Sequence, residues 1–257
     1  MKKLLGITLS LAGLLMLVSC GGEEAIEMPS VTYTVTDNGG TLALDWDDIT
    51  DAEGYYIYAD GVLIDSTTDS EYDATEPAQV YGVSAYNADD ESATDDVDCA
   101  PEVTANVIVY GASDPDTAHP SGLSFTTSGT AVALAIGVTA NHPDLDYIFD
   151  DRAPFTTMTL VSPNAYTPVY NDEKNMGVDA QATDFDAVII ANAPGVYSTQ
   201  TSLQGNAVYA LFMDQDDDGW DTDSDHFGKM KVESIAGTTV TITVAYQTIT
   251  GLRWLVT

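Results

Sequence analysis

Basic residues are scarce in this 257-residue sequence: seven lysines and arginines stand against 41 aspartates and glutamates, giving a formal net charge of −34. Such a surface repels the phosphates of nucleic acids and of anionic lipids, which argues against nucleic acid as a partner. Two explanations of the acidity stay open, namely adaptation to high salt and cation binding. Because the acids are spread along the whole chain, they favour the first explanation, with cation binding confined to particular loops.

Catalytic motifs are missing as well. The sequence has no Gly-x-Ser-x-Gly elbow, no glycine-rich phosphate loop and no His-Glu-x-x-His. The carboxylate pairs Asp144/Asp146 and Asp184/Asp186 have the chemistry of a glycosidase dyad, but a chain this rich in acids contains such pairs by chance. We therefore predict that the protein is not an enzyme, and a glycan-active enzyme is kept as an alternative.

Cysteine is limited to Cys20 and Cys99, and Cys20 lies at the end of an export-type N-terminus. Lys2 and Lys3 precede an apolar run from residue 4 to residue 18, which is shorter than the roughly 20 residues of a spanning helix. The run ends in Leu-Val-Ser-Cys, which resembles the lipobox of bacterial lipoproteins. The alternative is an ordinary signal peptide with a chance cysteine.

The lipobox resemblance implies that residues 1–19 are removed and that Cys20 carries the lipid anchor, with residues 20–29 as an acidic tether. Since Lys2 and Lys3 are two of the seven basic residues, the mature chain would hold five bases against 41 acids, a formal charge of −36. No aspartate follows Cys20, so the inner-membrane retention signal of enteric lipoproteins is missing. The stretch Gly21-Gly22-Glu23-Glu24 also resembles the surface-export signal of Bacteroidota lipoproteins. We expect an outer-membrane lipoprotein of the cell envelope, facing either the periplasm or the surface. Cys99 is left as a single thiol, most typical of a small buried apolar residue.

Helical periodicity is nearly absent, whereas short runs rich in Val, Ile, Tyr and Thr alternate with Gly, Asp, Asn and Pro. This pattern predicts an all-β protein. A seam near Cys99-Ala100-Pro101 divides it into a domain over residues 30–100 and a larger antiparallel β domain over residues 101–257. Candidate strands in the second part are Val107–Tyr110, Leu123–Thr126, Ala131–Val138, Asp186–Ala191, Ala207–Met213, Gly228–Ile235 and Thr239–Tyr246. The last two are predicted to form a hairpin across Ala236-Gly237.

In the first part, the apolar side chains of Leu42, Leu44 and Trp46 alternate with Ala43 and Asp45, which predicts a strand. Asp60-Gly61 is a two-residue hairpin signal. Together with Gly54-Tyr55 and Tyr81, these residues resemble a fibronectin type III β-sandwich. The resemblance implies that Trp46 is the core tryptophan of the second strand and that Tyr81 lies on the sixth, where the family carries its tyrosine corner. Such domains are usually spacers or protein-contact modules.

The last strands of the second part, around Phe227-Gly228-Lys229, resemble those of β-rich Bacteroidota lipoproteins, among them the HmuY-type heme carriers. This resemblance implies an alternative function, a carrier of heme or another small ligand. Candidate iron ligands are His119, His142, His226, Met158, Met176, Met213 and Met230. Surface histidines without a metal are far more common, so we do not expect heme.

The sharpest local pattern is an acidic loop between two predicted strands. Its spacing is that of a calcium loop, with side-chain or carbonyl oxygens from positions 1, 3, 5, 7, 9 and 12. The predicted ligands are Asp214, Asp216, Asp218, Trp220 through its carbonyl, Thr222 and Asp225. The alternative is an acidic turn in an acidic protein. A bound calcium ion would order the hairpin loop and stabilise the fold.

Loop tyrosines offer a further binding surface. Tyr147, Tyr166, Tyr170 and Tyr197 fall in or near predicted loops, where sugar rings could stack on them. The sequence thus predicts a lipid-anchored envelope or surface protein with a binding or adhesion role toward a glycan or a protein, and with membrane contact through its N-terminal lipid.

Overall fold

Residues 25–171, 174–181, 184–216 and 224–257 are described by the computed structural model, and their regular structure is almost wholly antiparallel β-strand. The only helical elements in these ranges are two 3-10 turns, Asp37–Gly39 and Thr139–Asp144. The predicted all-β fold is therefore confirmed. In this described part of the chain, no helix has both the length and the apolar character that crossing a membrane demands.

Seven strands form a first sandwich from a three-stranded sheet, β1-β2-β5, and a four-stranded sheet, β4-β3-β6-β7. The strands are β1 (Thr32–Thr36), β2 (Thr41–Asp45), β3 (Gly54–Ala59), β4 (Val62–Thr67), β5 (Glu71–Ala74), β6 (Val80–Tyr86) and β7 (Asp95–Asp98). On β2, Leu42 and Leu44 are buried while Asp45 is exposed, so the alternation in the sequence separates core from solvent. Cys99 is also buried in this core, and burial raises the pKa of its thiol to about 12.

Two local features of the first sandwich follow the sequence closely. Asp60 and Gly61 join β3 to β4 with φ values of 51° and 74°, as a two-residue primed turn requires. Tyr81 lies on the sixth strand, and its hydroxyl donates a hydrogen bond of 2.7 Å to the carbonyl of Glu76. A tyrosine that bonds back to the backbone a few residues upstream pins the corner through which the chain enters this strand.

Ten further strands form a second sandwich of two five-stranded sheets, ordered β10-β9-β11-β12-β14 and β13-β15-β16-β17-β8. They are β8 (Glu102–Tyr110), β9 (Gly122–Phe125), β10 (Ala131–Leu134), β11 (Tyr147–Asp150), β12 (Thr159–Val161), β13 (Asn175–Ala180), β14 (Gln200–Ser202), β15 (Val208–Asp214), β16 (His226–Ala236) and β17 (Thr239–Tyr246). Both sheets contribute to one apolar core, exemplified by Phe149 and Leu211, which are fully buried. On β17, Val240, Ile242 and Val244 enter this core between half-exposed threonines.

Three of the strand predictions need correction. The predicted strand Asp186–Ala191 is a loop with one isolated bridge from Ile190 to Trp254, because its backbone groups bond to the C-terminal segment and not to a sheet. The strand predicted over residues 131–138 ends at Leu134, where the chain turns. The β16–β17 hairpin turns at Gly237 and Thr238, one residue later than predicted, with Gly237 at φ +62°.

The C-terminal segment, residues 247–257, leaves the second sandwich and completes the core of the first. Trp254 is fully buried there, with its ring 5.7 Å from that of Tyr81 and its indole N–H donating to the carbonyl of Gly40 at 3.2 Å. Gln247 is also fully buried and donates to the carbonyls of Cys99 and Trp254. The two sandwiches are therefore tied together by the end of the chain as well as by the link between β7 and β8.

Candidate metal centre

Three acidic side chains meet at the loop end of the β15–β16 hairpin. Asp214 is the last residue of β15, Asp225 directly precedes β16, and Asp216 lies in the loop between them. One carboxylate oxygen from each lies within 4.8 Å of the other two. Calcium–oxygen bonds of about 2.3–2.6 Å place ligands on opposite sides of one ion about 5 Å apart, so this spacing fits three ligands around a single cation.

The burial of the three carboxylates is unequal. Asp214 and Asp225 are 1% and 0% exposed, whereas Asp216 is exposed and lies 3.4 Å from the hydroxyl of Ser224. Like charges this close repel each other, and the repulsion is stronger where burial excludes water. A divalent cation at this point would offset the repulsion and connect the two ends of the loop.

The sequence predicted these three residues as ligands at positions 1, 3 and 12 of the loop, and the structure brings them together. The other three predicted ligands, Asp218, Trp220 and Thr222, lie outside the described residues, as does Cys20. The arrangement can hold a metal ion through carboxylate oxygens. Because strands flank the loop on both sides, it is not an EF-hand.

A buried ion pair lies next to this centre and was not predicted. Lys174 Nζ lies 2.8 Å from Asp146, which also accepts the backbone N–H of Phe125 and a hydrogen bond from Gln215, the residue between Asp214 and Asp216. Burial raises the pKa of Asp146 despite the lysine. Asp146 directly precedes β11 in the opposite sheet, so its hydrogen bond from Gln215 connects the loop after β15 to that sheet. Because the chain has so few lysines, a single lysine such as Lys174 among many acids was the sequence signal that could have indicated an ion pair.

The carboxylate pairs proposed as a dyad are not alike in the structure. Asp146 is buried in its ion pair while Asp144 is exposed in a 3-10 turn. Asp184 and Asp186 are both exposed, and Asp184 caps the backbone N–H of Asp186 at 3.1 Å. One carboxylate of each pair is therefore already bonded within the protein, Asp146 to Lys174 and Asp184 to the backbone of Asp186.

The candidate heme ligands make contacts with other groups of the protein. Each histidine stacks on a tyrosine, and each has a ring nitrogen within 3.0 Å of a protein oxygen: Asp114 for His119, the Ile136 carbonyl for His142 and the Gln247 carbonyl for His226. The four methionines, Met158, Met176, Met213 and Met230, are buried in the second core. His226 lies opposite Met213 in the β15–β16 ladder, and burial lowers the pKa of this histidine.

The loop tyrosines divide into two groups. Tyr147 lies on β11 and is fully buried, with its hydroxyl 3.0 Å from the carbonyls of Gly177 and Phe212, so it cannot stack on a ligand. Tyr197 is half-buried and bonds to the carbonyl of Asn192. Tyr166 is only 1% exposed, so the prediction that it offers an open stacking face is also wrong. It packs at 4.8 Å on the half-buried Tyr170 and lines a cleft that also contains Arg152, a residue that the sequence did not single out.

Comparisons with known proteins identify no family for this chain. No family model matches it, and neither does any curated protein. Among solved structures, it is similar to the crystal structure of a DUF4466 family protein from Parabacteroides merdae, with 10% sequence identity and a TM-score of 0.41. That match covers 87% of this chain and 98% of the other.

Proposed function

We propose that this protein is a lipid-anchored lipoprotein of the cell envelope with a non-enzymatic binding or adhesion role, and that calcium stabilises its second sandwich. The observation that carries the calcium part of the proposal is the meeting of Asp214, Asp216 and Asp225 at the loop end of the β15–β16 hairpin. The resemblance at Leu17–Cys20 supports the anchor. The strand order of the first sandwich and the Tyr81–Glu76 hydrogen bond support a fibronectin type III-like spacer.

Calcium is favoured over other cations by the chemistry of the site. The three ligands are hard carboxylate oxygens, and calcium accepts six to eight such oxygens in flexible geometry. Zinc prefers nitrogen and sulfur donors, whereas magnesium requires near-octahedral geometry and keeps several of its waters. The spacing of residues 214–225 leaves room for further ligands from the loop itself.

The experiment is thermal unfolding of the mature chain carrying Cys20→Ser, with excess calcium or with a chelator. At a calcium concentration about 100 times the Kd, binding stabilises the folded state by about 2.7 kcal/mol, which corresponds to a Tm increase of about 5–10 °C for a chain of this size. We expect magnesium to give a smaller increase.

The test variant is Asp216→Asn, since Asp216 is the exposed member of the triad and its loss leaves the folded core intact. We expect this variant to lose most of the calcium-dependent increase in Tm. Asp89→Asn is the matched control, because it removes one charge from an exposed loop of the first sandwich and should retain the full increase. Equal calcium responses in Asp216→Asn and wild type would refute the metal centre.

A further inference from the structure

A cleft of about 410 Å³ opens on the outer face of the β10-β9-β11-β12-β14 sheet. It lies where β11 ends at Asp150, and it is lined by the residues that follow β11 and β12 and by Gln200 at the start of β14. Its volume is within the range of about 300–1,000 Å³ that small-molecule sites occupy. It is separate from the carboxylates of the metal centre, none of which lines it.

The polar part of the cleft is organised by an ion pair. Arg152 donates from Nε and Nη2 to the two carboxylate oxygens of Asp150, at 2.9 and 3.1 Å, and from Nη2 to the carbonyl of Thr167 at 3.3 Å. The Asp150 side chain is 8% exposed and that of Arg152 is 38% exposed. Within the described residues Nη1 takes part in no hydrogen bond, so a rigidly held guanidinium presents two free N–H donors.

Aromatic and amide groups complete the lining. The Arg152 guanidinium lies over the ring of Tyr166 at 4.7 Å, which fixes its orientation further. The Tyr166 side chain is almost wholly buried, so it acts as a fixed wall of the cleft. Phe155 is half-buried and supplies an apolar wall, while the exposed amide of Gln200 can both donate and accept hydrogen bonds.

The charge of the cleft selects among ligands. Asp150 and Arg152 neutralise each other, and the acidic surface of the whole molecule repels anions. A ligand rich in hydroxyl groups suits this lining, because each hydroxyl both donates and accepts, and the C–H face of a sugar ring can pack on Phe155. We infer that the cleft binds a neutral pyranose unit of a glycan. This inference rests on the proposed binding role and gives it a ligand class and a place.

The test is saturation-transfer NMR and titration of the mature chain carrying Cys20→Ser with the methyl glycosides of glucose, galactose, mannose and N-acetylglucosamine, and with methyl glucuronide as the anionic comparison. We expect at least one neutral glycoside to bind and the glucuronide to bind more weakly. Gln200→Ala removes an exposed amide, and Arg152→Lys keeps the charge opposite Asp150 while removing the planar fork. Each should raise the Kd of the bound glycoside about tenfold.

Gln204→Ala is the matched control, since Gln204 is an exposed glutamine just past β14 that does not line the cleft. Retained affinity in this variant together with loss in Gln200→Ala and Arg152→Lys supports the inference. Equal affinity in all variants would show that the glycoside does not bind in this cleft, while the proposed binding role would remain. Failure of the wild type to bind any neutral glycoside overturns the ligand class. The cooperative thermal unfolding transition of each variant shows independently that it is folded.

Discussion

The five basic side chains other than Lys2 and Lys3 all have defined partners in the structure. Lys174, Lys231 and Arg152 form ion pairs with Asp146, Glu233 and Asp150, while Lys229 and Arg253 bond to backbone carbonyls. At the residue scale the few positive charges are therefore mostly used to hold loops and strand ends, whereas Lys231 pairs with Glu233 within one strand.

Lys229 is the most deeply placed of these cations. It is fully buried on β16, and its Nζ lies 2.9–3.1 Å from the carbonyls of Phe185 and Val188 and from the hydroxyl of Thr257. It also lies 4.3 Å from the centre of the Phe185 ring. The side chain thus fastens the loop that replaces the predicted strand at residues 186–191. Burial lowers its pKa from 10.5 to about 8.

This pKa predicts a pH dependence of stability. Between pH 8 and 10.5 the folded protein has released the Lys229 proton while the unfolded chain still holds it, so the cost of burying the charge is relieved as pH rises through this range. We expect the free energy of unfolding of wild type to rise relative to that of Lys229→Met between pH 7 and pH 10, measured by urea denaturation. Lys231→Met, at a half-exposed position on the same strand, should follow the wild-type dependence. A constant difference between wild type and Lys229→Met across this range would contradict the prediction.

At the scale of elements, the docking of the C-terminal segment on the first sandwich depends on a close backbone approach. Gly39 has φ +77°, and a Cβ at this position would overlap the carbonyl oxygen of Gly251. The backbone N–H of Arg253 donates to the Gly39 carbonyl at 3.0 Å, so the two segments are held together where no side chain fits between them. Glycine is required here both for its conformation and for its size.

Substitution of this glycine should be costly. We expect Gly39→Ala to lower the free energy of unfolding by about 2–4 kcal/mol, because it adds an overlap to the penalty of a left-handed conformation. Gly61→Ala is the control: it has nearly the same φ, +74°, but nothing within 4 Å of an added Cβ. It should cost only the conformational term, about 1–2 kcal/mol. Chemical denaturation of both variants measures the difference, and equal losses would show that the contact with Gly251 does not matter.

At the scale of the whole molecule, the net charge determines how far membrane attachment would depend on the proposed lipid. If residues 1–19 are removed as proposed, the chain has a formal charge of −36, which repels anionic headgroups, so the protein surface supplies no electrostatic attraction to a membrane. Attachment would then depend on the acyl chains alone, and several chains on one residue give the stable anchoring that a single chain cannot.

Replacement of Cys20, the residue proposed to carry the lipid, should therefore release the protein completely. We expect full-length Cys20→Ser, expressed in a bacterial host, to leave the membrane fraction and to lose incorporation of a labelled fatty acid. Cys99→Ser is the matched control, since the Cys99 thiol is buried in the first core and the variant should stay lipidated. Fatty-acid labelling that persists in Cys20→Ser would contradict the proposed anchor.

Local sequence patterns determined a large part of this protein. The alternation through Leu42, Leu44 and the threonine-rich β17 predicted strands with one buried face, and Asp60-Gly61 predicted its turn, because both signals depend only on neighbouring residues. The spacing of Asp214, Asp216 and Asp225 likewise predicted which carboxylates would meet, since a short loop between paired strands returns its ends to each other.

Contacts between distant segments were decided by the tertiary structure alone. Trp254 completes a core built from the opposite end of the chain, and residues 186–191 form a loop because their backbone groups find partners in the C-terminal segment. The cleft around Arg152 arises only where the ends of three strands come together. A sequence pattern reports the preference of a segment for its own conformation, whereas these features depend on which distant surface that segment meets.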